Sequence, residues 1–246
     1  MQKFRELIKS EPDLIKDTLE LSILFVNRSN QVIISFKKRK SRKKNKLLFH
    51  NDFKEFNSHN KIEVDKIMDI SFKRDTESFY QVNYHQNHRM IEIVLRYLAP
   101  LKDRKILDLY CGCGNFSLFL ARDGAEVIGI DSKRSAINEA IYNANLNNIK
   151  NCNFIKADLD KTTHSLPHDT FRAVLLNPPR NGCSNVTLKQ IVHKNPDTVV
   201  YVSCNPSTLA RDVRKLLNSG YTIEEIQPID MFPQTYHIET IVKLVK

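Results

Sequence analysis

From residue 84 onward the chain alternates between two hydrophobic patterns. Tyr84 to Leu98 places Met90, Ile91, Val94, Leu95 and Leu98 at helical spacing, with Pro100 just beyond; this predicts an amphipathic helix. Short apolar runs then predict strands at Lys105–Leu109, Ala125–Ile130, Asn153–Ile155, Ala173–Leu176 and Val199–Ser203. Between them, helical spacing predicts Phe116–Arg122, Lys133–Leu146, Val186–His193 and Pro206–Asn218. Strands alternating with helices imply an α/β fold, a Rossmann-like parallel sheet with helices on both faces. Tyr221–Pro228 and His237–Val245 close the chain as an antiparallel pair at one edge.

The first third reads differently. A helix is predicted over residues 1–18, and two strands, Leu19–Val26 and Gln31–Phe36, flank the hairpin signal Asn27-Arg28-Ser29-Asn30. Further strands are expected at Lys46–Phe49, Ile62–Phe72 and Ser78–Val82. The pattern divides the chain into a small β-rich α+β appendage, residues 1–75, and an α/β domain, residues 76–246. Charge follows the same division. The formal net charge is +10; residues 1–75 hold 18 Lys and Arg against 11 Asp and Glu, and the rest holds 20 against 17. Eight of the ten residues from Lys37 to Lys46 are basic, a self-repelling block that predicts a mobile loop. A polyanionic partner met by the N-terminal third is the natural reading, with Lys38 and Arg39 among the contacts. A nuclear-localisation tract has the same composition.

The five cysteines, at 111, 113, 152, 183 and 204, form no secreted-type framework, and Cys111-x-Cys113 has no second pair for zinc. They read as reduced thiols in the cytoplasm. No apolar run is long enough to span a membrane, and the first residues lack a signal-peptide core.

Candidate chemistry gathers at predicted strand ends, where open α/β sheets bind ligands. Asp108-Leu-Tyr110-Cys-Gly112-Cys-Gly114-Asn115 follows the first strand, and Asp131 ends the next one, 23 residues on. Two glycines allow a tight turn and close approach to a ligand, and the acid suits a ribose hydroxyl. A dinucleotide fingerprint would want a third glycine where Ser117 stands, so the loop fits S-adenosylmethionine better than NAD. Asp158, after the third strand, suits an adenine amino group. Asn177-Pro178-Pro179-Arg180 ends the fourth strand, and its amide can donate to and accept from a nucleobase edge. Cys204 follows the fifth strand just ahead of a helix, where a thiol pKa is expected to be lowered.

These residues resemble the RNA uridine-5-methyltransferases, class I enzymes that modify tRNA or rRNA. The likeness runs from Phe79-Tyr80-Gln81-Val82-Asn83 through Asp108–Ser117, Asn177–Arg180 and Tyr201–Asp212 to Asp230-Met-Phe-Pro-Gln-Thr-Tyr-His-Ile-Glu239. The resemblance implies Cys204 as nucleophile, Glu239 as base, and Gln81, the Gly112 loop and Asp131 as cofactor contacts. Asn177 stands where the family usually has Asp, and Asp131 where it usually has Glu. Many members carry an N-terminal barrel and a four-cysteine iron–sulfur cluster; the start of this chain is expected to be too late for the barrel, and with no cysteine before residue 111 no cluster is expected. A monomer acting on RNA is expected.

The implied chemistry explains the residue types. A thiolate adding to carbon 6 of uracil makes carbon 5 nucleophilic, and a base must later remove the carbon-5 proton. Glu239 is the candidate base and His237 the alternative. The target must leave its stack, and Phe79, Tyr80 and Phe232 are candidate stacking rings. Two other readings stay open: an amino-group methyltransferase using the Asn-Pro-Pro loop, and a non-catalytic RNA-binding relative.

Overall fold

A computed structural model describes residues 18–26, 31–38, 45–49, 55–56, 63–74, 81, 83–160 and 166–246. The chain falls into two compact units, residues 1–66 with 73–77, and residues 67–72 with 78–246. In the first, β1 (Thr18–Val26), β2 (Gln31–Lys38), β3 (Asn45–Phe49) and β4 (Glu55–Phe56) pair in sequence order. Each pairing is antiparallel, with Ile23 opposite Ile34 and Val32 opposite Phe49. The basic run is shorter as a connection than predicted: Lys37 and Lys38 belong to β2, Asn45 and Lys46 to β3, and 39–44 lie outside the described residues. The helix expected over 1–18 lies outside them too, apart from Thr18, which opens β1. So does the strand expected over 78–82, except Gln81, which is irregular. The single strand expected over 62–72 is instead a hairpin of β5 (Glu63–Ile67) and β6 (Ile70–Arg74). Met68, with φ +52°, reverses the chain between them.

The second unit is built on seven strands: β7 (Lys105–Leu109), β8 (Glu126–Asp131), β9 (Cys152–Lys156), β10 (Ala173–Leu176), β11 (Thr198–Ser203), β12 (Thr222–Ile229) and β13 (Glu239–Val245). Their spatial order is β12-β13-β11-β10-β7-β8-β9. The five from β9 to β11 run parallel, and β13 is antiparallel to both of its neighbours. Five helices join them: α1 (Tyr84–Leu98), α2 (Ser117–Arg122), α3 (Arg134–Leu146), α4 (Asn185–Lys194) and α5 (Pro206–Leu217).

The period of two along each strand builds two cores. Ile106, Ala173, Leu175, Val200, Val202 and Ile241 point to one face, where they meet Met90, Ile91 and Val94 of α1 and Leu118 to Ala121 of α2. Leu107, Leu109, Val174, Leu176, Val199 and Tyr201 point to the other, against Leu188 and Ile191 of α4 and Leu209, Val213 and Leu216 of α5. Burial on both faces is why these strands read as continuous apolar runs. The strand order reverses between β7 and β10, so the crevice for a ligand opens at their carboxyl ends. Among the described residues no helix is long and apolar enough to cross a membrane.

Candidate active site

Three loops leave the carboxyl ends of β7, β10 and β11 around that crevice. The first, residues 110–116, is fastened on every side. Cys111 N donates to Ile130 O at 3.1 Å and Gly114 N to Cys111 O at 3.0 Å. Gly112 N donates to Asp131 Oδ2 at 3.0 Å, while Lys133 N donates to Asp131 Oδ1 at 2.8 Å. Asn115 and Asn87 exchange side-chain amide hydrogen bonds of 3.0 Å each way, and Asn143 Nδ2 donates to Cys113 O at 3.2 Å. A side chain added at Gly112 (φ +57°) would meet nothing within 4 Å, so the turn presents bare backbone to open space. Tyr110 takes φ +62°, and its hydroxyl donates to Asp160 Oδ1 at 3.2 Å. Asp158 Oδ1 accepts from Asp160 N at 3.2 Å.

Asp108 is fully buried at the foot of this loop. Its Oδ2 accepts from Ser117 Oγ at 2.5 Å, so the residue in place of a third glycine serves to hold the carboxyl. Its Oδ1 is buried with no hydrogen-bond partner. Burial pushes its pKa up to about 7. Cys111 and Cys113 are buried. Burial also pushes the Cys111 thiol up, which suits a packing role.

The second loop carries Asn177 to Cys183. Asn177 N donates to Leu109 O at 3.2 Å, tying β10's exit to that of β7. Arg180 is anchored through its carbonyl, which accepts from Asn205 Nδ2 at 3.1 Å and Thr208 Oγ1 at 3.2 Å. Asp212 of α5 clamps the rest: its buried Oδ2 accepts from Cys183 N and from Tyr201 Oη, both at 2.8 Å. Arg211 Nε donates to Asp212 Oδ1 at 2.8 Å and Arg211 Nη2 to Asn181 O at 2.9 Å. Sequence reading passed over this pair. A signal existed: Asp212 interrupts the apolar stripe of Leu209, Val213 and Leu216, which marks a buried carboxylate.

The third loop carries Cys204. Asn205 is extended (φ −140°, ψ 102°), its side chain accepts from Ser207 N, and Pro206 opens α5, the turn its sequence predicts. Ser203 lies opposite Thr240 in the β11–β13 ladder. Cys204 follows Ser203 and Glu239 precedes Thr240, and the two come close enough for the carboxylate to act on the thiol. Glu239 is buried, Cys204 half-buried. The Cys204 thiol is pushed up from its ordinary value by burial and then by the Glu239 carboxylate, with the Arg180 guanidinium pulling it back. That corrects the expectation of a lowered pKa: desolvation and a facing carboxylate outweigh the helix end. Glu239 is pushed up by burial and drawn down by the same Arg180. Arg180 Nη2 lies 3.2 Å from Nδ1 of His237, so His237 faces a cation. Phe232 is half-buried and packs on the core. Tyr236, which sequence reading passed over, is exposed nearby.

Gln81 is half-buried in irregular backbone two residues before Asn83. Asn83 caps α1 by accepting from Gln86 N, and its Nδ2 donates to Met231 O at 3.2 Å. The stretch around Gln81 and the one from Asp230 to Glu239 are thereby brought together. Lys38 ends β2 in the first unit; Arg39, Phe79 and Tyr80 lie outside the described residues.

A family model described as tRNA (uracil-5-)-methyltransferase matches residues 16–246. An uncharacterised RNA methyltransferase of Halalkalibacterium halodurans is 42% identical over 182 residues, 73% of this chain and 40% of that protein. The 23S rRNA (uracil(1939)-C(5))-methyltransferase of Marinomonas posidonica is 40% identical over 181 residues, 73% of this chain and 41% of its own. The chain thus matches about two fifths of the length of these curated relatives. Among solved structures, the Pyrococcus abyssi tRNA (uracil-54, C5)-methyltransferase in complex with S-adenosyl-L-homocysteine superposes with a TM-score of 0.72. It is 26% identical, with 99% of this chain and 66% of that one covered.

Proposed function

The chain belongs to the tRNA (uracil-5-)-methyltransferase family, and on that premise we propose that it methylates carbon 5 of a uridine in tRNA or rRNA through a covalent cysteine adduct. The observation that carries the mechanism is the meeting of Cys204, Glu239 and Arg180 at one end of the sheet.

S-adenosylmethionine, when bound, supplies an electrophilic methyl group. The residues present fit it: Gly112 leaves open space, Asp108 Oδ1 is a buried acceptor lacking a donor, and Asp131 keeps lone pairs free for a ribose hydroxyl. Tyr110, Gly114, Gln81 and Asp158 complete the cofactor set. Asn177 and Arg180 face the target base. The Cys204 thiolate forms a bond to carbon 6 of the uracil, and the carbon 5–carbon 6 π electrons move onto the ring as an enolate. Carbon 5 would then take the cofactor's methyl group, the pair of the broken carbon–sulfur bond staying on the cofactor's sulfur. Glu239 then removes the carbon-5 proton, the double bond re-forms and the carbon 6–sulfur bond breaks, returning the thiolate. A carboxylate held above its ordinary pKa is a stronger base for that step. Residues 1–75, with Lys38 and Arg39 in the basic run, contact RNA phosphates.

The test is a pair of variants. Cys204→Ala is expected to abolish methyl transfer, whereas an amino-group methyltransferase needs no thiol and would keep it. Glu239→Gln is expected to accumulate an RNA–protein adduct on a denaturing gel, absent once Cys204 is also replaced. Full turnover by Cys204→Ala would overturn the mechanism; free turnover by Glu239→Gln would move the base to His237.

A further inference from the structure

The turn between β12 and β13 ends in an aromatic ring that packing does not explain. Tyr236 is 88% exposed, whereas Ile226, the next most exposed large apolar or aromatic side chain among the described residues, is 54%. Loop tips ordinarily carry small polar residues. This ring is also held. Its centroid lies 4.1 Å from that of His237, and His237 stands edge-on to Phe232 at 5.9 Å. Beneath them Thr235 N and Oγ1 both donate to Phe232 O, at 3.1 and 2.7 Å, and His237 N donates to Thr235 Oγ1 at 3.2 Å. Three rings therefore run from the core out to solvent. The last of them lies three residues from Glu239, which an extended chain spans in about 10 Å at most.

We infer that Tyr236 is a stacking platform for the nucleobase next to the target uridine. The inference rests on the RNA-methyltransferase reading above. A base drawn out of its stack leaves its neighbour with a bare face, and a fixed aromatic ring beside the reacting pair covers it whatever its identity. Tyr236 is a positioning residue: it touches the flanking nucleotide, not the reacting atoms.

The test uses the whole chain and a short single-stranded RNA with one uridine flanked on both sides by 2-aminopurine, whose fluorescence is quenched by stacking. Binding and quenching are measured for wild type, Tyr236→Phe and Tyr236→Ala, with circular dichroism and thermal melting to verify folding. Tyr236→Ala is expected to bind about fivefold to a hundredfold more weakly and to lose the quenching. Its salt dependence stays that of wild type, because no phosphate contact is removed. Tyr236→Phe keeps both signals. If Tyr236→Ala binds and quenches as wild type does, the inference falls and the methyltransferase reading stands. If wild type binds such RNA without quenching, the inference falls; if it binds neither this RNA nor tRNA or rRNA, the methyltransferase reading falls with it.

Discussion

Gly182→Ala tests the clamp that holds the Arg180 loop. Gly182 has φ +72°, and a Cβ there would overlap Asp212 Oδ2, come within 2.7 Å of Arg211 Nη2 and 3.1 Å of Thr208 Cβ. The left-handed backbone alone costs an alanine roughly 1–2 kcal/mol. The overlap adds to it. Asp212 cannot retreat without losing the Cys183 N and Tyr201 Oη hydrogen bonds, both buried, and a buried donor left unpaired costs about 1–3 kcal/mol. Gly220→Ala is the control, since Gly220 has φ +91° with nothing within 4 Å of its added Cβ. Both variants carry the left-handed backbone cost, so the expected difference is the overlap alone, about 1–3 kcal/mol for each buried donor left unpaired, read from urea unfolding midpoints at equal m-values. Against a domain stability of about 5–15 kcal/mol, Gly182→Ala remains folded in the cold. There it should form the Cys204 adduct more slowly than Gly220→Ala, because Arg180 is displaced. Equal midpoints would refute the clamp as a rigid element.

Arg180→Gln should move the rising limb of adduct formation, set by ionisation of the Cys204 thiol, to higher pH, because Arg180 lowers the Cys204 pKa; an unmoved profile followed by pH-jump kinetics would separate Arg180 from the thiol. Stability should fall as pH rises above about 8.5, where unfolded thiols ionise. Cys183, pushed up to about 12 by burial, and Cys111, pushed up by burial as well, hold their protons when folded. Each such thiol then subtracts about 1.4 kcal/mol per pH unit, and urea midpoints that stay flat from pH 8 to 10.5 would contradict this. Replacing Lys38, Arg39, Arg42 and Lys43 by Ser should weaken RNA binding and flatten its salt dependence, about 0.7 in slope per lost phosphate contact on a single strand, without changing which uridine is methylated; unchanged binding at low salt would reduce the run to a solvated tract.

The parallel strands were legible because burial on both faces leaves unbroken apolar runs, and Cys204 because a strand, a thiol, an Asn-Pro turn and a helix follow one another in sequence. The thiol's upward shift was not legible. It arises from burial and from Glu239, 35 positions later, and no local signal reports a neighbour that distant. Asp212 was legible only as a polar residue on an apolar stripe, and the exposure of Tyr236 not at all. What joins the last motif to the site is the direction of β13. It runs antiparallel beside β11, so its first residue, Glu239, meets the residue that leaves β11, Cys204. A parallel β13 in the same place would carry Glu239 to the far end of the six-residue β11, roughly 20 Å away at the rise of a strand. The reversal of one strand is therefore what brings the proposed base, near the end of the chain, to the proposed nucleophile at the end of β11.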